Sequence, residues 1–172
     1  MMNKENKMLP LLYEVRMDAL KKSSDAAPDE RIFYMIHYMK MLNWVTNAHG
    51  CLAVSMMAEM IEDIMPAEFN FKGKILFAAD LFSSAYGPDE LIEILTSRYW
   101  ANNYQGTDAL MYYMLILTMF KMHSLISNIW LEEFLKACLN DKTAEEYEKY
   151  KVRFDENEGK NLFEADKQPN KK

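Results

Sequence analysis

LMYYMLILTMF, residues 110 to 120, contains one polar side chain, Thr118, besides its two tyrosine hydroxyls. Such a run crosses a membrane, fills a core or contacts a partner. The surrounding 23 residues, 109–131, carry Lys121 as their only formal charge, so their length alone permits a membrane span. Lys121 lies near the middle, where burial in hydrocarbon is most costly, and Ser127–Asn128 indicates the start of another helix. The sequence therefore predicts a buried helix of a soluble protein.

The composition favours one helical domain. The chain has 172 residues, of which 50% are hydrophobic and 27% charged, as in soluble globular proteins. It contains only five glycines and five prolines. This scarcity of chain breakers, with abundant Leu, Met, Ala, Glu and Lys, favours long helices over a sheet rich in tight turns.

The charge balance argues against a nonspecific nucleic-acid binder. Twenty Lys and Arg residues stand against 26 Asp and Glu, for a net charge of −6, so no basic excess is available to displace counterions from phosphate.

Cys51 and Cys138 lie in apolar helical sequence and are interpreted as reduced, buried thiols. The apolar patch near the amino terminus is interrupted too soon for a signal sequence. The expected location is the cytoplasm.

Prolines, acids and polar residues predict the helix boundaries. Pro28 and Pro88 each precede two acids, a combination that favours the first turn of a helix. Thr107 or Asp108 is expected to cap the helix that contains the opening run. The predicted helices cover about 9–22, 28–46, 51–65, 74–85, 88–101, the opening run, and 128–140.

The carboxyl-terminal region is more charged than the rest of the chain. Thr143 and Glu146 have the spacing of a capping box, which predicts an eighth helix to about residue 155. This helix is expected to dock through three aromatic residues, Tyr147, Tyr150 and Phe154. The sequence thus predicts an all-α protein: a single irregular bundle of seven or eight helices over residues 1–158, with a charged carboxyl-terminal helix and a polar, mobile tail over 159–172.

Three predicted helices, the second, third and sixth, are apolar over most of their circumference. In the sixth, Met111 and Met114 are expected to project toward the polar side that contains Thr118. Two interpretations stay open. Either the chain encloses these helices itself, or part of their surface is covered by a homodimer or another stable protein partner.

No catalytic residue, metal site or cofactor is predicted, and the sequence does not decide whether the protein is an enzyme. The sequence lacks GxGxxG, GxxxxGK[ST], HExxH, GxSxG and CxxC motifs. Glu59, Glu62 and Asp63 form an acidic stripe on the third helix, but His49 is too far along the chain to complete a metal site with them. We interpret the stripe as a solvated face whose function the sequence does not define.

Two sets of candidate binding residues follow from the helix faces. The first is an interaction surface of residue types common in binding hot spots and adaptable surfaces: Arg98, Trp100, Tyr104, Met111 and Met114. Its simpler alternative is that the aromatic residues only anchor the loop. The second is an aromatic pocket for a small molecule: Tyr34, Tyr38, Trp44, Tyr112, Tyr113 and His123.

The leading functional hypothesis is a cytoplasmic protein-interaction or regulatory adaptor that self-associates or binds a protein partner. It rests on the excess apolar helix surface, the 15 methionines and the lack of catalytic motifs. The alternative is a helical bundle that binds a small molecule in an aromatic and Met-lined pocket. Neither nucleic acid nor membrane is expected as a partner.

Overall fold

The computed structural model describes residues 5–84 and 86–152, and these residues form eight helices and no strand. The predicted all-α class and helical bundle are therefore confirmed. The predicted tail and Phe154 lie outside the described residues. The helices are α1 (Glu5–Ser23), α2 (Glu30–His49), α3 (Ala53–Ile64), α4 (Lys72–Ser83), α5 (Pro88–Asn102), α6 (Gly106–Met122), α7 (Asn128–Lys136) and α8 (141–152).

Three helix starts follow from local chemistry that the sequence displays. Asp29 caps α2, where its Oδ1 accepts a hydrogen bond of 2.9 Å from the backbone N–H of Arg31. Pro88 opens α5 at a position where its missing N–H costs nothing. Ser127 caps α7, and its Oγ accepts a hydrogen bond from the backbone N–H of Trp130.

Two predicted caps are wrong because other residues take the positions. Gln105 is the N-cap of α6, two residues before Thr107 and three before Asp108, and the Asp108 carboxylate instead forms an ion pair of 3.0 Å with Arg31 of α2. Helix α8 begins after Asn140, whose Oδ1 accepts a hydrogen bond of 2.8 Å from the N–H of Thr143. The predicted capping box with Thr143 as the cap therefore lies three residues too late.

Helix α6 is the central element of the fold. It packs against α1, α2, α4, α5 and α7, and every residue from 109 to 119 is buried. The opening run therefore fills the core, and its own chain supplies the cover. Burial of this many apolar side chains is the main favourable contribution to folding.

Met111 and Met114 do not lie on a surface, contrary to the prediction. Both are fully buried, as is Thr118, the residue that was taken to mark the polar side of α6. The Thr118 hydroxyl donates a hydrogen bond of 2.8 Å to the Met114 carbonyl oxygen one turn earlier. Because this bond satisfies the hydroxyl inside the helix, a threonine at this position does not require solvent.

The polar residues of α2 form a seam with α7. Asn43 is fully buried, and its Nδ2 donates hydrogen bonds to the Ile126 carbonyl oxygen at 2.9 Å and to Asn128 Oδ1 at 2.7 Å. Lys40, one turn earlier, donates to the carboxylate of Glu132. Two polar residues of α2, Lys40 and Asn43, are therefore bonded to α7 and to the turn before it.

Glu132 joins three helices through one buried carboxylate. Besides Lys40 of α2, it accepts hydrogen bonds from Lys151 of α8 at 2.6 Å and from the Tyr147 hydroxyl at 3.3 Å. Burial alone would raise the pKa of Glu132, but the hydrogen bonds from the two lysines outweigh it and hold this pKa below its usual range.

The predicted docking of α8 is confirmed for Tyr147 and Tyr150, whose rings contact that of Phe33.

Matched methionine substitutions should separate the core from the surface. We expect Met114→Ala to lower the free energy of unfolding by about 2–5 kcal/mol, because it leaves a cavity beside fully buried neighbours. The control Met56→Ala, at an exposed position of α3, should change it by less than about 0.5 kcal/mol. Urea unfolding of both variants tests this, and equal effects would contradict the enclosure of α6.

A second stability prediction concerns Glu132. We expect Glu132→Gln to lower the free energy of unfolding by about 1–3 kcal/mol, because both lysines lose a charged, largely buried acceptor. Its sequence neighbour Glu133 is exposed and pairs only at the surface with Lys136. Glu133→Gln should therefore stay within about 0.5 kcal/mol of the wild type in the same urea experiment.

Candidate functional site

One face of α3 presents a row of large apolar side chains to solvent. Leu52, Met56, Met60 and Ile64 are 57–77% exposed and follow each other at intervals of four residues, which places them on one side of the helix. We call these four residues the apolar stripe. The opposite face of α3 is buried against α2 and α4. The prediction of excess apolar surface is therefore confirmed for α3, whereas α6 is enclosed.

Carboxylates border the apolar stripe. Glu59 and Asp63 are exposed and Glu62 is half-buried, and none of the three forms an ion pair with another described residue. Lys72 donates to the backbone oxygen of Glu62 at 3.2 Å and not to its carboxylate. The last turn of α3 contains no basic residue, so these charges add to the negative end of the helix dipole. The three carboxylates outnumber the Lys72 cation that is bonded there, so this end of α3 has an excess of negative charge.

No metal site is visible in the part of the chain that the structure describes. Within residues 5–84 and 86–152, no three His, Cys, Asp or Glu side chains are grouped closely enough to hold an ion. The His49 ring contacts that of Trp44 at a centroid distance of 5.9 Å.

A second surface feature is an apolar groove between α1, α6 and α7 with a volume of about 660 Å³. Among the described residues, its wall contains two cations, Arg16 and Lys121, and no carboxylate. The lining residues are Leu9, Pro10, Leu12, Tyr13, Arg16, Tyr113, Leu117, Phe120, Lys121, Phe134, Ala137 and Cys138. We call this feature the groove.

The Cys138 thiol and the Tyr113 hydroxyl of the groove are neutral at neutral pH. Burial raises the pKa of the Cys138 thiol to about 11, although the nearby Arg16 cation partly offsets this. Burial likewise raises the pKa of the Tyr113 hydroxyl well above its usual range. Lys121 lies over the Phe134 ring, with Nζ 4.1 Å from the centroid. The groove therefore combines neutral apolar walls with positive charge.

The predicted interaction residues fall into three different environments. Arg98 and Tyr104 line a small cleft of about 280 Å³, where Tyr104 stacks on Tyr112 at 4.6 Å and Arg98 lies 3.8 Å from the Phe77 centroid. Trp100 is exposed and packs edge-on against Tyr99. Met111 and Met114 are in the core. The five residues do not form one surface, and the ring contacts of Tyr104 fit the alternative of loop anchoring.

The six residues of the predicted aromatic pocket do not come together in the cavities described here. Tyr34 and Tyr38 pack against Phe69, Trp44 is exposed near the end of α2, and His123 packs against Phe82. Two of the six predicted residues do line cavities, but different ones: Tyr112 lines the cleft and Tyr113 lines the groove.

Sequence reasoning missed the groove because its wall comes from three separate helices. Arg16 of α1 and Lys121 of α6 are separated by 105 positions in the sequence, and only tertiary packing places them on one wall. One sequence feature could have indicated the groove: Lys121 is a lone cation at the end of the most apolar helix, and the next helix contains Phe134.

Comparisons with protein-family models, curated proteins and solved structures found no match for this chain. Within the described residues, no helix combines the length and the apolar character needed to cross a membrane. Function is therefore inferred from the surfaces of the molecule itself.

The His123 ring is half-buried, and its Nε2 atom is shielded from solvent. Its Nε2 has no hydrogen-bond partner among the described residues, and its ring lies 4.6 Å from that of Phe82. Burial lowers the pKa of His123 below the ordinary 6.5, because the imidazolium form would lose its hydration.

This histidine should make stability depend on pH. The unfolded chain takes up a proton as the pH falls through 6.5, whereas the folded protein resists protonation at His123, so stability is lost below that pH. We expect His123→Leu to reduce the fall in urea midpoint between about pH 7.5 and 5.5. His49 is exposed, so His49→Gln should retain the wild-type fall, and an unchanged fall in His123→Leu would contradict the prediction.

Proposed function

We propose that this protein is a helical protein-interaction module that binds its partner through the apolar stripe of α3. The exposure of these four large side chains supports this proposal. The same chain encloses α6 on every side, so it has enough apolar surface and enough helices to cover a central element. A contiguous apolar row left uncovered by such a chain is typical of an interaction site.

The shape and residue types of the stripe favour a helical partner. Residues 52 to 64 span roughly 18 Å along the helix axis at about 1.5 Å per residue. Anchors repeating every four residues are suited to an amphipathic helix lying along the stripe. Met56 and Met60 at its centre have flexible, polarisable side chains that adapt to different apolar surfaces.

The charge around the stripe favours a basic partner. Glu59, Glu62 and Asp63 stand beside the apolar row without counterions among the described residues, so Lys or Arg side chains flanking the partner's apolar face would complement them. A second copy of this chain would bring the same acidic border and its own net charge of −6. Electrostatic repulsion therefore disfavours self-association through this face relative to a basic amphipathic helix.

A pair of designed peptides tests this interaction. We expect a labelled amphipathic helix with leucines on one face and flanking lysines to bind the protein, and its glutamate counterpart not to bind. Met56→Gln with Met60→Gln should weaken the lysine peptide about tenfold, because the apolar anchors are lost while the charge is unchanged. Fluorescence anisotropy measures both affinities.

Another exposed apolar site provides the control for the stripe. Ile129 and Trp130 at the start of α7 are as exposed as the stripe residues, so Ile129→Gln with Trp130→Gln should leave peptide binding within about twofold. Equal losses in the two double variants would contradict the proposal. Sedimentation that shows a wild-type dimer, converted to monomer by the methionine double variant, would assign the stripe to self-association instead.

A further inference from the structure

We propose that the groove between α1, α6 and α7 binds a small amphipathic molecule with an aliphatic tail and an anionic head group. This inference is independent of the partner surface on α3. It rests on the apolar wall of the groove, on its volume, and on donors that the protein itself leaves without acceptors.

The groove has the dimensions and the walls of a ligand site. Its volume of about 660 Å³ lies within the range of about 300–1,000 Å³ typical of small-molecule pockets. Tyr113 and Leu117, one turn apart on α6, are buried and form the inner wall, so the central helix of the fold holds this wall in place. Leu12 and Phe134 extend the apolar surface onto the two flanking helices.

Three hydrogen-bond donors on this wall have no acceptor in the described part of the protein. Arg16 and Lys121 form neither a hydrogen bond nor an ion pair there, and the Tyr113 hydroxyl likewise forms no hydrogen bond with a described residue. Lys121 is half-buried over the Phe134 ring, so its charge is close to the apolar surface. A carboxylate or phosphate bound beside these groups would accept from them in a less polar environment than bulk water.

The same pattern selects against other small-molecule classes. A cationic amphiphile would meet two like charges with no carboxylate on the wall to balance them. A neutral alcohol of the same length would retain the apolar contacts but gain no ion pair. The groove should therefore prefer an anion over an alcohol, and an alcohol over a cation, at equal tail length.

Isothermal titration calorimetry with four dodecyl compounds tests this order. We expect dodecanoate to bind the full-length protein with a negative heat-capacity change, dodecanol to bind about tenfold more weakly, and dodecyltrimethylammonium to bind more weakly still. Dodecyl phosphate distinguishes the head groups: tighter binding than dodecanoate would assign a phosphate monoester, and weaker binding a carboxylate.

Variants locate the site and separate the contributions of charge and shape. The double variant Arg16→Gln, Lys121→Gln should lower the affinity for dodecanoate about tenfold. Its affinity for dodecanol should stay within about twofold of the wild-type value. The matched control, Lys21→Gln with Lys142→Gln, removes the same charge from exposed positions outside the groove and should leave both ligands within about twofold. Ala137 lies at an exposed position of the wall. Ala137→Phe should lower the affinity for both ligands, because the larger side chain fills part of the groove.

Several outcomes would overturn the proposal. These are absence of dodecanoate binding, equal affinity for the ammonium compound, equal losses in the groove and control variants, or unchanged binding in Ala137→Phe. Binding of an acidic amphipathic peptide in the groove, with no binding of dodecanoate, would assign the site to a protein partner. The Met56→Gln, Met60→Gln variant should bind dodecanoate with wild-type affinity. Failure of the partner surface on α3 can therefore be distinguished from failure of the ligand site in the groove.

Discussion

The burial of α6 on every side is the constraint on which the other helices depend. A helix satisfies its own backbone hydrogen bonds, so it can be surrounded by apolar side chains without polar partners outside itself. Residues 109 to 119 are all buried, and the Thr118 hydroxyl is satisfied one turn back along the same helix. Five other helices, α1, α2, α4, α5 and α7, direct apolar side chains toward this one element.

The two candidate binding surfaces follow from how α6 is covered. Helix α3 packs against α2 and α4 and lies outside the layer that covers α6, so none of the described helices lies over its outer face, which contains Met56 and Met60. The groove lies between α1 and α7 over α6, and there Tyr113 and Leu117 line an open cavity. One surface is thus an uncovered outer helix, and the other is a gap in the cover of the central helix.

Polar residues fix how the covering helices are placed. Asn43 binds the turn before α7, and Glu132 binds Lys40 of α2 and Lys151 of α8, so α7 is joined to two neighbours by partly buried polar contacts. Such contacts have geometric requirements that apolar packing lacks, because a shift of one turn would leave a carboxylate or amide buried without a partner. The groove between α1, α6 and α7 therefore lies against a helix whose position is well defined.

The sequence alone determined the helical class and most helix boundaries to within a few residues, because proline, capping residues and apolar periodicity act over a few neighbouring residues. It predicted that the helix containing residues 110 to 120 is buried, but it placed Met111 and Met114 at a surface. Only the tertiary structure decided which apolar faces were covered, since both α3 and α6 are apolar over most of their circumference but Met114 lies in the core and Met56 at the surface. It also decided which distant residues meet. Arg16, Tyr113 and Lys121 share a groove because three helices pack there, and no local pattern specifies such a meeting.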